Sequence, residues 1–241
     1  MLNSFNLNFP CPVVVVLGAL LALVWSYYCL RFAGYLKTTR GVRTGYTRKV
    51  FHALIFLSAV AAHAVGGFVA VCVFGTMVSL VVGLAVLRGP NDRLYEALAR
   101  EQDGPARTYY IVSSYFATLI GGLASNILFG PLAVVGYLVG GLGDAAGEPV
   151  GTRWGRHRYL GLSARATKTF EGSIGVLAAS VAALLIAIAI RPELHLDLRS
   201  VIALPLIAIV CTLVEAFSPR GWDNVPMQVV PTLLVAILLL K

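Results

Sequence analysis

Asp144, Glu148 and Glu171 lie among Arg153, Arg156, Arg158, Arg165 and Lys168, in a stretch punctuated by Gly143, Gly147, Gly151, Gly155 and Gly172. Carboxylates suit a hard cation such as Mg²⁺, and guanidinium and ammonium groups suit phosphate oxygens. The combination points to a metal and polyphosphate site. Four of the glycines recur at every fourth residue, so on a helix they form one bare ridge that another backbone or a nucleotide can approach closely. Asp144 and Glu148 share a face of that helix, which is unfavourable unless a cation sits between them.

The surroundings of this segment are apolar. Charged residues make up 12% of the 241 and apolar ones 58%, with runs long enough to cross a hydrocarbon core of roughly 30 Å. The expected architecture is all-α, a polytopic helical bundle of about eight spans with a range of seven to nine. Spans are placed near 10–30, 50–65, 67–87, 109–127, 129–143, 173–190, 200–216 and 225–240. The whole of 1–241 reads as one domain with a nucleotide-binding loop at 143–172, since no Pro/Ser-rich linker divides it.

Charge gives these spans a direction. The segments 31–49, 88–108, 144–172 and 217–224 hold sixteen of the nineteen Lys and Arg residues, leaving Arg191, Arg199 and Lys241. The positive-inside rule makes those four segments cytoplasmic and, for an even number of spans, puts both termini on the opposite side. No Lys or Arg precedes the first span, so it is expected to remain as an anchor rather than a cleaved signal. The net charge of +8 attracts anionic headgroups and nucleotides; it does not point to nucleic acid, because the basic residues border membrane spans. Cys11, Cys29, Cys72 and Cys211 lack metal-site spacing and are expected to pack in the core. His63 and His195 read as interfacial residues.

The Gly-Asp-Ala at 143–145, Gly151, Gly155 and the Lys168-Thr169-Phe170-Glu171-Gly172 block resemble the CTP-binding signature of the dolichol kinase and phytol kinase family. Arg48-Lys49-Val50-Phe51-His52, Glu215 and Asp223-Asn224 extend the resemblance from about residue 48 to about 226. The shorter phytol kinase branch is the nearer match. The resemblance implies an integral membrane enzyme that uses CTP with Mg²⁺ to phosphorylate a long-chain isoprenoid alcohol (phytol, prenol or dolichol type). The related CTP:phosphatidate cytidylyltransferases, which form a CDP-lipid, are the alternative enzyme. A membrane transporter, with the glycines as packing points and the carboxylates as coupling sites, is the alternative of another class.

Phosphoryl transfer requires a neutralised polyphosphate tail, an aligned acceptor hydroxyl and the exclusion of water. Asp144, Lys168, Glu171 and Asp223 are the candidate catalytic residues. Asp144, Glu148 and Asp223 are the candidate metal ligands, and Asp223 is also the candidate base. Gly143, Gly147, Gly151, Arg153, Gly155, Arg156, Lys168, Thr169, Gly172 and Asn224 are expected to bind the nucleotide, one or two of the arginines gripping phosphate. Thr169 can at the same time cap a helix that carries Glu171 in its first turn, and the N-terminus of that helix would favour phosphate. Arg48, Lys49 and His52 are expected at the lipid or its headgroups.

Overall fold

The structure, a computed structural model, describes residues 11–160 and 167–240; Arg165 and Lys241 lie outside the described residues. Nine α-helices are present among them: α1 Pro12–Thr38, α2 Thr44–Arg88, α3 Arg93–Leu98, α4 Arg107–Phe129, α5 Ala133–Leu138, α6 Asp144–Trp154, α7 Phe170–Ile190, α8 Leu198–Phe217 and α9 Asn224–Leu238. A two-stranded antiparallel ribbon, β1 Arg158–Leu160 with β2 Thr167–Thr169, leads into α7. Five helical stretches are long and apolar enough to cross a membrane: Pro12–Thr38, Thr44–Arg88, Glu101–Trp154, Phe170–Ile190 and Leu198–Phe217. The shorter apolar α9 packs with them. This is the architecture of an integral membrane helical bundle.

Two of the five stretches fold back on themselves. At Gly66 and Gly67 the backbone leaves the helical region, Gly67 taking a φ of +59° that suits only glycine. Ile55 and Val78 then line the same cavities, although a straight helix would hold them roughly 34 Å apart. The second break is at Gly130, with φ +53° and followed by Pro131. Across it the hydroxyl of Tyr137 on α5 accepts from Asn126 Nδ2 on α4.

Beyond Gly130 the chain is helical to Trp154, with a π turn over Val139–Gly143 joining α5 to α6. The expected loop from 144 is therefore helical in its first third. Asp144 lies within this helical stretch and is 3% exposed. The apolar interior has two parts, one built on α1, α2 and α3 and the other on α5, α7, α8 and α9. Cys29 and Cys211 are buried as expected, whereas Cys11 and Cys72 are exposed. His63, expected at an interface, is buried beside Tyr137.

Candidate active site

One helical turn separates Asp144 from Glu148 on α6, and the first turns of α2 bring cations to both. Lys49 Nζ is 2.6 Å from Asp144 Oδ2, with both side chains almost wholly buried. Arg48 Nη2 and Arg100 Nη2 lie 2.9 and 2.6 Å from Glu148 Oε2. Side chains from distant parts of the sequence thus relieve the repulsion between the two carboxylates. His52 Nε2 is 2.9 Å from Gly140 O in the π turn and 3.4 Å from Asp144 Oδ2. A carbonyl only accepts, so Nε2 carries the proton and donates. Arg48, Lys49 and His52 therefore turn toward α6 and the π turn.

The glycine ridge is real, and α7 lies on it. A Cβ added at Gly143 would come 2.6 Å from Ser180 Oγ, one at Gly147 2.9 Å from Val176 Cγ2, and one at Gly151 2.7 Å from Thr169 Oγ1. Gly172 returns the contact, a Cβ there lying 2.9 Å from Gly147 O. Gly155 sits against Thr169 in the same way. Small residues at this spacing let α6 and α7 approach closely, as they do between membrane helices.

The Lys168–Gly172 block is ordered by its own contacts. Thr169 caps α7, its Oγ1 accepting from Gly172 N at 3.1 Å. Glu171 accepts from His157 N, and its Oε1 lies 2.8 Å from His157 Nδ1. Lys168 Nζ donates to Glu215 O and is 2.7 Å from Glu215 Oε1 on α8. Arg153 stacks on the ring of Trp154, and Arg153 and Arg156 are both exposed.

A cavity of about 100 Å³ opens beside this cluster. Of the expected site residues, Arg48, His52, Asp223 and Asn224 line it; Arg100, Asp103, Tyr110 and Arg220 join them. Arg220 is ion-paired to Asp103 and stacks on Tyr110, with its guanidinium carbon 4.6 Å from the ring centre. Burial raises the Asp223 carboxyl from its ordinary value, and the Asp144 carboxylate adds to the effect. Asn224 Nδ2 donates to Ser114 O and to Thr118 Oγ1, at 3.2 and 2.8 Å.

Three polar atoms on the residues lining this cavity are buried without a hydrogen-bond partner among the described residues: Arg48 Nε, Arg100 Nε and Asn224 Oδ1. Two spare guanidinium donors fit phosphate oxygens. The fit for Mg²⁺ is narrower. No group of three His, Cys, Asp or Glu side chains converges among the described residues, and Asp144 and Glu148 are already paired. Asp223 faces the cavity and senses Asp144, and Mg²⁺ needs only one or two carboxylates when phosphate oxygens and water complete its shell.

The chain is similar to a phytol kinase. That protein, from Synechocystis sp., is 32% identical over 145 residues, which is 59% of this chain and 58% of the relative. The matched region thus covers less than two thirds of either protein. No family model matches the chain, and no solved structure does.

Arg100, Asp103, Tyr110 and Arg220 were not among the expected site residues, and Glu215 stood in the resemblance without an assigned role. Arg100 and Asp103 stand in a short connection that looks like ordinary positive-inside sequence. Arg220 had a signal, because it stands three residues before Asp223 in a Pro- and Gly-containing turn.

Proposed function

We propose that this protein is a kinase that transfers the γ-phosphate of CTP to the hydroxyl of a long-chain isoprenoid alcohol of the phytol type, with Mg²⁺, at the cytoplasmic membrane face. The observation that carries the reading is the cavity where Arg48, Arg100 and Arg220 surround Asp223, with two guanidinium nitrogens still unpartnered. Its similarity to a phytol kinase supports the same class of acceptor.

In this reading the three arginines bind the polyphosphate, and Asp223 takes the proton from the alcohol hydroxyl. A raised carboxyl pKa makes Asp223 a better base than an exposed aspartate. Before reaction the hydroxyl donates its one proton to Asn224 Oδ1; for transfer that proton turns to the adjacent Asp223 carboxylate, the alcohol oxygen bonds to the γ-phosphorus and CDP leaves. Bound Mg²⁺ would supply neutralisation of the phosphate charge; if Asp223 holds it, it does so in place of its role as base, while Asp144 stays paired with Lys49. The Asp144–Lys49 and Glu148–Arg48 pairs fix the angle between α6 and α2, and so fix the arginines. Lys168 does the same for α7 and α8 through Glu215.

In this reading the turns at Gly66–Gly67 and Gly130 each separate two crossings, which with α1, α7, α8 and α9 gives eight. This leaves Arg48, Arg100, Lys168 and Arg220 on one side, which the positive-inside rule makes cytoplasmic. Both termini then lie on the other side.

The test is incubation of the purified protein with Mg²⁺, phytol or phosphatidic acid, and CTP labelled in the γ- or α-phosphate. Label from the γ-position in phytol is expected. Label from the α-position in phosphatidic acid would replace the kinase with a cytidylyltransferase, and absence of label in any lipid would remove enzymatic CTP use.

A further inference from the structure

A second cavity, of about 290 Å³, continues the polar one into the apolar bundle. The two share Ile55, Phe56, Val78, Tyr115 and Thr118. Along α4 the lining passes from Tyr110 in the first cavity to Asn126 in the second, sixteen residues on. Along the returning arm of α2 it passes from Val82 to Phe68, next to the Gly66–Gly67 turn. At 1.5 Å per residue this is a trough roughly 20–24 Å long, a large part of a hydrocarbon core of roughly 30 Å. One end holds Arg48, Arg100, Arg220 and Asp223, and the rest is mainly apolar.

We infer that this trough between the two arms of α2 and α4 is the binding site for the acceptor's single hydrocarbon chain, and that Gly75 sets its bore. The inference rests on the kinase reading for the identity of the occupant. Its polar end supplies what an alcohol needs, since Asn224 Oδ1 is a buried acceptor without a partner. The orientation of that amide is fixed by its other end, which donates to the Ser114 carbonyl, an acceptor only. An O–H donor completes the amide, and a chain attached to it runs down the trough past Thr118 and Tyr115.

Entry from the bilayer is built into the outer wall. Cys72, Thr76 and Leu123 line the trough and are exposed. Tyr115 braces this wall higher up, its hydroxyl lying 3.1 Å from Gly75 O and 2.9 Å from Ser79 Oγ. Gly75 stands where those arms face each other, and a Cβ added there meets only Leu119 Cδ2, at 3.8 Å. The space beside Gly75 is therefore open, and filling it would close the trough without clashing with backbone. Because a free chain already rests in lipid, selection here comes from fit and not from the hydrophobic effect.

Two measurements test the site. In detergent, alkylation of the native Cys72 thiol, with Cys11 replaced by serine, should slow several-fold when phytol is added without any nucleotide. Protection by phosphatidic acid and not by phytol, or no protection by either, would overturn the inference. Gly75→Phe should reduce retention of labelled phytol on the order of tenfold or more, the scale expected when bulk is forced into an occupied site. In turnover assays it should shift preference from phytol toward a short prenol such as geraniol. Unchanged phytol retention and an unchanged acceptor ratio in folded Gly75→Phe would overturn it equally. Because protection and retention need no CTP, a failure of the kinase reading appears separately, as phytol binding without phosphate transfer.

Discussion

Removing Lys49 alone should damage the fold more than removing both Lys49 and Asp144. At 2.6 Å and an effective dielectric of about 20, the two charges attract by about 6 kcal/mol. Most of that offsets the several kcal/mol per ion lost in taking them out of water. Lys49→Met keeps the volume of the side chain but leaves Asp144 charged, 3% exposed, with the His52 N–H at 3.4 Å and the more distant Arg48 charge to offset it. Breaking a buried pair in this way costs about 3–5 kcal/mol. In a chain of this length that lowers the melting midpoint by about 6–20 °C. Adding Asp144→Asn removes the stranded charge and should restore at least half of the loss. The assay is thermal unfolding in detergent micelles, followed by intrinsic fluorescence, for the wild type, both single variants and the double. If Lys49→Met melts within about 2 °C of wild type, or if the double variant is no more stable than Lys49→Met, the pair does not hold these helices together.

Other perturbations separate charge from geometry. Burial raises the Asp223 carboxyl, so the folded protein binds more protons there than the unfolded chain does. Ionised Asp223 accordingly costs stability as pH rises above the ordinary aspartate value of about 3.9. Metal-free Asp223→Asn should melt above wild type at pH 7, by a margin that shrinks toward pH 4, while losing transfer; equal melting at both pH values would contradict the assignment. Lys168→Ala strands the Glu215 carboxylate on α8 and should weaken nucleotide use by roughly 10- to 100-fold through loss of that charge-assisted pair, and Lys168→Arg by much less. Lys168→Ala/Glu215→Gln should recover part of the activity; no recovery would mean that Lys168 acts on phosphate and not by holding α8. With Cys11 and Cys72 replaced, cysteines at Arg158 and Trp222 should react with impermeant thiol reagents from one face only and a cysteine at Glu193 from the other; reaction of Arg158→Cys and Trp222→Cys from opposite faces would break the eight-crossing topology.

What could be read in advance was governed by how local each feature is. Gly66-Gly67 interrupt an apolar run at the point where two spans were divided, and Gly130-Pro131 break the next one just past the expected division at 128, because a helix reversal needs residues free of helical φ and ψ, and such residues are visible one at a time. The Thr169 cap with Glu171 in the first turn of α7 is local in the same sense. The glycine ridge was legible as a ridge, yet bare helix surface looks the same whether a nucleotide or a second helix will cover it. Only the positions of Gly172, Val176 and Ser180 decide that α7 does. The conflict between Asp144 and Glu148 was equally visible, but its resolution was not. The relieving charges on Lys49, Arg48 and Arg100 come from 95, 100 and 48 residues away, and the sign rule for membrane loops already accounted for each of them. A cation beside a membrane span therefore carries two meanings in sequence. It binds headgroups when its helix end is free, and it becomes part of a site when a carboxylate buried in the neighbouring helix faces it. Arg48 and Lys49 are the second kind because Glu148 and Asp144 sit on α6 one turn apart, facing the first turns of α2. Arg220 belongs with them through Asp103. The polar cavity is the meeting point of three such pairings that no single stretch of sequence contains.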